Sequence, residues 1–480
     1  GAAGPLPGPA GEAAGGPRGA SFASLGLARR LALNCERLGM QYPTDIQAMA
    51  IPPALAGRSL AGNARTGTGK TACYCLPALH HFSRDPYGVF MLVLLPIREL
   101  AFQVSENLSA LGRGTGVQVA EVVGGRDMSC QSKFIMERRH VVVATPGRLA
   151  DLLRGDAALS EAFRRMRFLV LDEADRLLTQ TFEEPLSEIL GKVPKQRQTL
   201  LFSATITHSI TKLRSKFPGE LLLLDANPRD ESLEMLTHQY VFVPRTVQLC
   251  YLHYLLDSHF ADSSCIVFAP RIELCQLLTT ALEFLGFSVT GLHSLQSQRR
   301  RAASLGKFRA GRCRILVATD VASRGLDIPK VAVVVNVGLP YGADDYVHRA
   351  GRTARAGRPG LVVTVMTEQD VPKVRAIEGR MGVRLELRAT VEEDAIKLLS
   401  KTTKACQRAE LLLSEVGFEE QLTEHREKRV LAKQGRRKGK GRKGARERKA
   451  AAGAAAGAPA GAAAAAELPR AAPARPPPKA

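Results

Sequence analysis

The feature that most constrains this chain is a rhythm. Between Phe22 and about Arg384, short apolar runs alternate with amphipathic stretches of helical period. The runs are Met91–Leu95, Phe168–Leu171, Thr199–Phe202, Ile266–Phe268, Ile315–Ala318, Val331–Val335 and Leu361–Val365. Apolar at every position, they read as strands buried on both faces, which is how strands of a parallel sheet look. In Arg271–Leu285 the apolar residues Leu274, Leu277, Leu278, Ala281, Leu282 and Leu285 follow a 3.6 period, and Gly286 supplies a natural stop. The rhythm breaks in a polar, Pro-containing stretch around 225–238, dividing the body into two α/β units of similar size.

These boundaries predict a Gly/Ala/Pro-rich disordered segment over 1–20, a first domain over 21–226, a connector over 227–238 and a second domain over 239–385. A helical extension follows over 386–425, then a basic, disordered tail over 426–480. Charge matters here because it is uneven. The chain of 480 residues has net charge +21. Residues 426–449 hold 13 Lys/Arg against two Glu, and 450–480 add a net +2, which leaves +8 for residues 1–425. A tail of that density attracts nucleic acid through counterion release, with little sequence information, and doubles as a nuclear or nucleolar address. No apolar run reaches the ~18 residues of a membrane span, and no secretory pattern opens the chain. The nine Cys contain no CxxC pair. Cys73 and Cys75 fall in an expected helix, and the set reads as small buried thiols rather than a metal site or disulfides.

Two motifs in the first half carry chemistry. Ala64-Arg-Thr66-Gly67-Thr68-Gly69-Lys70-Thr71 opens a helix, and its glycines let backbone N–H groups wrap a triphosphate. Lys70 places an ammonium on the β/γ-phosphates, and Thr71 offers a hydroxyl to Mg²⁺. Ala64 stands where the pattern usually has Gly. Asp172-Glu173-Ala-Asp175 follows the run Phe168–Leu171, where open α/β sheets bind ligands. Asp172 is the candidate Mg²⁺ holder, and Glu173 polarises the attacking water.

Together with segments in the same order downstream, these motifs resemble the DEAD-box RNA helicases, a family of two tandem RecA-like parallel-sheet domains. The resemblance runs from Phe22 to about Gly360. It implies that Gly39-Met-Gln-Tyr42-Pro-Thr44-Asp-Ile-Gln47, with Phe22 upstream, reads adenine. The Gln47 amide can both donate and accept there. It implies RNA-backbone contacts from Pro96, Arg98, Gly125, Thr145 and Arg148 in the first domain. In the second they come from His293, Gln298, Arg301, Thr319 and Gly325. Ser203 and Thr205 of the SAT triplet, with Asp175, Asp320 and Arg324, would couple hydrolysis to strand separation, and Asp327 would meet the ribose. Tyr346-Val-His348-Arg349-Ala-Gly-Arg352-Thr-Ala-Arg355 would supply the fingers Arg352 and Arg355, while His348 and Arg349 position water and link the domains. Three arginines at spacing three share a face if the segment is helical.

The implied cofactors are ATP and Mg²⁺, and the implied activity is RNA-dependent ATP hydrolysis coupled to local duplex opening. Short stretches such as Asp85-Pro-Tyr-Gly88 and Arg197–Thr205 look most like a nucleolar ribosome-biogenesis subgroup. That implies pre-ribosomal RNA and pre-ribosomal proteins as partners, a monomer, and a nucleolar home. Three positions depart from the family pattern. Met40 replaces an aromatic, Ile97 replaces a Thr used near RNA phosphate, and Gly338 stands where an acid is common. Ile97 predicts a weaker RNA grip, on the order of 1 kcal/mol. Competing readings are an ATP-gated RNA clamp with little unwinding, a DNA translocase of the same superfamily, and a basic scaffold with a merely structural ATP site.

Overall fold

The computed structural model describes residues 21–64, 67–203, 220–226, 236–320, 328, 331–353 and 360–427. Thr66, Thr205, Arg324, Gly325, Asp327 and Arg355 lie outside these residues, as do the segment 1–20 and most of the tail.

The apolar runs form two seven-stranded sheets, parallel throughout. The first comprises β1 (Leu60–Asn63), β2 (Met91–Leu94), β3 (Val119–Val122), β4 (Val141–Ala144), β5 (Phe168–Asp172), β6 (Gln198–Ser203) and β7 (Leu222–Asp225). The second comprises β8 (Leu236–Phe242), β9 (Cys265–Phe268), β10 (Val289–Leu292), β11 (Ile315–Ala318), β12 (Val333–Val337), β13 (Gly360–Met366) and β14 (Glu386–Leu387). The orders are β3-β4-β2-β5-β6-β1-β7 and β10-β11-β9-β12-β13-β8-β14. Substituting β8 for β1, β9 for β2 and so on converts one order into the other, so the same wiring is used twice.

Each sheet has a core on both faces because successive side chains point oppositely. In β2, Met91 and Val93 enter one apolar cluster while Leu92 and Leu94 enter another. In β11, Ile315 and Val317 divide from Leu316 and Ala318 in the same way. Helices such as Lys70–Arg84, Arg98–Leu111 and Ile272–Phe284 cover the faces. Cys73 and Cys75 are both fully buried in the first of these.

Three boundaries differ from the sequence reading. Strand β8 begins at Leu236, so 236–238 of the expected connector are sheet. The run Val331–Val335 is displaced: β12 starts at Val333, since the Val331 N–H is taken by the Arg352 carbonyl at 3.1 Å. The segment after 385 is not a purely helical appendage. Glu386–Leu387 pairs in parallel with Gln239–Tyr240, and Ala395 is fully buried in the second sheet's core. The described residues up to Leu413 form one compact unit, and those from Ser414 a second.

Candidate nucleotide and RNA site

The first sheet delivers its chemistry at the C-terminal ends of its strands. β1 ends at Asn63 and runs into the glycine loop, where Gly67 (φ +89°) and Gly69 (φ +81°) adopt a left-handed backbone closed to most side chains. A Cβ at Gly69 would lie 2.1 Å from the Gln47 amide nitrogen, so the loop also needs glycine for space. The helix beginning at Lys70 then aims its first N–H groups at the loop.

Lys70 and Glu173 are both buried, 6% and 3% exposed, with the Lys70 Nζ 3.9 Å from Glu173 Oε1. That distance is an attraction without a hydrogen bond: Lys70 Nζ and Glu173 Oε2 have no hydrogen-bond partner. Leaving such groups unsatisfied costs several kcal/mol in total, roughly 1–3 or more for each charged group. A triphosphate fits the first group and a water nucleophile the second. Glu173 also has φ +51°, one of two non-glycine residues among those described with positive φ. That strain of roughly 1–3 kcal/mol turns its side chain out of the strand line into the site.

Asp172 is oriented rather than orphaned. Its Oδ2 accepts from the Tyr74 hydroxyl at 2.9 Å, and its Oδ1 accepts from the Glu173 N–H at 2.9 Å. Burial pushes its carboxyl up from 3.8 to about 6; Lys70 opposes the shift and Glu173 adds to it. Tyr74 was not singled out in the sequence. Its signal was present: it lies one helical turn after Thr71, on the same face. No group of three or more His, Cys, Asp or Glu among the described residues could hold a metal alone. One carboxylate plus a hydroxyl, with phosphates and water completing the sphere, is the arrangement that suits Mg²⁺.

The adenine segment is stitched to the loop. The Thr44 hydroxyl donates to the Thr68 carbonyl at 2.7 Å, and Gln47 Nε2 donates to the Gly69 carbonyl at 3.1 Å. Gln47 Oε1 accepts from the Thr44 N–H at 3.0 Å, so both ends of the amide expected to read adenine are engaged within the protein. Phe22 is 2% exposed within the first core, so little of its ring faces outward, whereas Tyr42 is 65% exposed. The Ala64 N–H donates to the Ser203 carbonyl at 3.0 Å, joining the glycine loop directly to the end of β6.

The expected RNA residues of the first half converge on the same sheet edge. Arg98 lies against Gly124 and Gly125, where a Cβ would meet its guanidinium at 2.9 and 2.5 Å. Thr145 precedes the helix Pro146–Gly155, which opens with proline at its first turn. Arg148 on that helix keeps a buried nitrogen, NH1, without a partner. Pro96 is buried, and Ile97 packs against both the first-sheet and second-sheet cores.

The second half meets the first at two of its acids, Glu99 and Asp175. Arg301, expected to grip RNA, is instead paired with Glu99 of the first half at 2.9 Å, both side chains under 10% exposed. Burial pulls its guanidinium down, and Glu99 partly restores it. His348 Nε2 lies 3.6 Å from Asp175 Oδ2, which ties the helix Ala343–Ala350 to the acid cluster. His293 is buried with Nε2 2.8 Å from Gln276 Oε1. Gln298 starts the helix Gln298–Arg309, and its Oε1 is buried without a partner. Thr319 presents a buried hydroxyl, also without a partner.

Two expectations about the arginine segment need correction. The helix stops at Ala350, so Arg352 lies beyond the helical face that carries Arg349, and Arg355 lies outside the described residues. Among the described residues the contacts of Arg349 lie within the second half: its Nε donates to Asp320 Oδ1 at 2.7 Å, its NH1 to Asn336 Oδ1 at 3.2 Å, and its guanidinium lies 5.1 Å from the Phe268 ring centroid. It is the internal tie of the second sheet, and it occupies Asp320. Arg352 is 5% exposed, just beyond the helix end. At Gly338 (φ +81°) the missing acid is supplied from elsewhere: Asp370 Oδ1 accepts from the Leu339 N–H at 3.1 Å.

Comparison with known proteins agrees with this geometry. The DEAD/DEAH box helicase model matches residues 44–213, and the helicase conserved C-terminal domain matches 247–357. The ATP-dependent RNA helicase dbp8 of Schizosaccharomyces pombe is 44% identical over 86% of this chain and 93% of its own. The human probable ATP-dependent RNA helicase DDX49 is 42% identical over 86% of each. Among solved structures, Mss116p bound to ssRNA and AMP-PNP superposes with a TM-score of 0.71 at 28% identity, over 81% of this chain and 82% of that one. S. cerevisiae Dbp5 bound to RNA and ADP BeF3 gives 0.68 at 26%, over 80% and 99%. With both models matched in order along the two sheets, the chain belongs to the DEAD/DEAH box helicase family.

Proposed function

We propose that the protein is an ATP-dependent RNA helicase whose catalytic site is completed by the meeting of its two sheets. The observation that carries this is the division of parts. Buried Lys70 Nζ and Glu173 Oε2 on the first sheet have no hydrogen-bond partner among the described residues, while His348 and Arg301 of the second half reach first-half acids at 3.6 and 2.9 Å.

In this reading Lys70 and the N–H groups of the glycine loop, including Thr66, hold the ATP phosphates, and Glu173 orients the attacking water. Thr71 and Asp172 would hold Mg²⁺, which when bound neutralises charge on the phosphates. Arg352 and Arg355 stabilise charge on the transferred phosphoryl, and Asp327 holds the ribose. Arg98, Gly125, Thr145 and Arg148, with Gln298, Thr319 and Gly325, grip one RNA strand by its backbone. Ser203, Thr205, Asp175 and Arg324 transmit closure. The closed lobes bend the strand, and a duplex that cannot follow opens locally. Hydrolysis releases the lobes.

The substrate we infer is pre-ribosomal RNA, with a nucleolar location and a monomeric chain. The reading rests on resemblance to a ribosome-biogenesis subgroup and on the net +11 of residues 426–449.

The test is ATP turnover with and without single-stranded RNA. Stimulation by RNA and not by DNA, abolished in Glu173→Gln and Lys70→Ala, is the expected result. Equal turnover in Glu173→Gln overturns the assignment. A second reading, an ATP-locked clamp, is favoured by the buried Glu99–Arg301 pair, which holds the lobes together without RNA. Complex lifetime with a non-hydrolysable nucleotide, measured beside duplex separation, distinguishes the two.

A further inference from the structure

The nucleotide and RNA segments of the first half use the C-terminal edge of the first sheet. The opposite edge, where the strands begin, has its own pattern. Arg138 precedes β4, Arg84 precedes β2, Arg165 and Arg167 precede β5, Lys195 precedes β6, and Arg58 precedes β1. All six side chains are exposed, and none is in an ion pair with another of the described residues. Of the nearby acids, Glu137 and Glu161 are spent on Arg139 and Arg164 instead, at 3.7 and 3.5 Å, and Asp85 stands exposed beside Tyr87 as one negative charge against the six positive ones.

Hydrogen bonds fix side by side the strand starts next to which the six residues stand. The Phe90 N–H donates to the His140 carbonyl at 2.9 Å, the Arg167 N–H to Phe90 at 2.8 Å, and the Gln198 N–H to Arg167 at 2.8 Å. The Gln198 side chain then donates to the Arg58 carbonyl at 2.8 Å. Because β4-β2-β5-β6-β1 are neighbours, the six charges form a row. At ~4.8 Å per strand it extends about 19 Å.

Helix dipoles do not account for the row. A dipole favours a cation within the last turn, and only Arg84 occupies one; the other five lie beyond their helix ends. Nor does the repeated fold require it. On the same edge of the second sheet, Arg314 is consumed by the Phe260 and Leu256 carbonyls at 2.8 and 3.2 Å, and Asp262 precedes β9.

We propose that this edge is a second RNA-backbone surface, which holds a segment of the same long or folded RNA away from the interlobe site. Five of the six groups are guanidinium, the group that pairs bidentately with phosphate. Tyr87 lies half-buried within the row with the Arg165 guanidinium 5.0 Å from its ring centroid, an aromatic surface beside cations of the kind on which bases stack. An acidic protein segment would use the charges but not the ring. The inference borrows from the helicase reading only the identity of the polyanion.

The test compares the full chain with Arg84→Gln/Arg165→Gln/Arg167→Gln. Binding of 10-nucleotide and 40-nucleotide single-stranded RNA is measured over a KCl series with a non-hydrolysable nucleotide. The variant should bind the long RNA about tenfold more weakly, with the salt slope reduced by about 2, given about 0.7 per phosphate contact. Binding of the short RNA and RNA-saturated ATP turnover should not change. The corresponding triple Lys variant should keep most of the slope. If the triple Gln variant fails to fold, Arg165→Gln alone should lower the slope by about 0.7. An unchanged slope in a folded variant overturns the proposal, as does equal loss in the Lys variant. So does polyglutamate that competes with the long RNA as well as unlabelled RNA does. Absence of RNA-stimulated turnover in the unmodified chain would count against the helicase reading itself, and leaves the slope comparison intact.

Discussion

Asp172 and Glu173 are neighbours in sequence with opposite local solutions. Asp172 is held by two hydrogen bonds, while Glu173 is twisted into a left-handed backbone with one oxygen bare. The spacing of motifs made the pair legible, because a carboxylate after a buried strand needs only local information. The holder, Tyr74, sits 98 residues away: its spacing from Thr71 marks a shared helical face, but nothing local names Asp172 as its partner. Tyr74→Phe removes a hydrogen bond to a charged group worth about 1.5–3 kcal/mol. ATP turnover at saturating RNA should fall roughly 10–100-fold, since each 1.36 kcal/mol is tenfold, while the melting temperature stays close to the parent's. Turnover equal to the parent's would mean that Asp172 is fixed by its backbone contact alone. Gln47, Arg301 and Ile97 carry the same lesson. Residue type announced what each could do, but their partners, Gly69, Glu99 and a second core, are fixed by tertiary structure.

Elements were easier to read than single roles. A strand buried on both faces leaves an uninterrupted apolar run, and a helix leaves a 3.6 period, so strand cores such as those of β2, β5 and β11 were visible, whereas the order in which strands pair was not. Edges were not. The two-residue β14 has both residues exposed and no apolar signature; its pairing with β8 sets it. The helix Ala343–Ala350, which carries His348 and Arg349, is held to β8 by a buried contact of 3.1 Å between His238 Nδ1 and the Tyr346 hydroxyl. Burial lowers His238 from 6.5 to about 4. Between those values the unfolded chain binds the proton and the native chain does not, so stability rises with pH across the window and is lost as pH falls from 6.5 towards 4. From pH 7 to pH 5 this one group contributes a loss of about 2 kcal/mol at most, taking about 1.4 kcal/mol per unit. Urea unfolding of His238→Gln should therefore show a shallower acid loss than the parent. Equal slopes would place the acid sensitivity in the other buried histidines, such as His253.

At the scale of the molecule, the proposed reaction is divided between two copies of one topology. The order of motifs foretold the division, yet not what holds the copies together. Glu99 and Arg301 are 202 residues apart and meet at 2.9 Å with under 10% exposure. A buried pair contributes little against an apolar replacement, but removing one partner costs about 3–5 kcal/mol by stranding the other charge. When the lobes part, both groups regain water, so the penalty falls on the closed state only. Glu99→Gln should thus weaken RNA binding in the presence of a non-hydrolysable ATP analogue by roughly 100-fold or more, and leave nucleotide-free binding and thermal unfolding near the parent values. Arg301→Gln should do the same. The double variant should be no worse than either single one, because the stranded charge is gone. Additive losses would show that each residue acts on RNA separately, as the sequence alone had suggested for Arg301. Single variants that bind like the parent would show that closure does not depend on the pair.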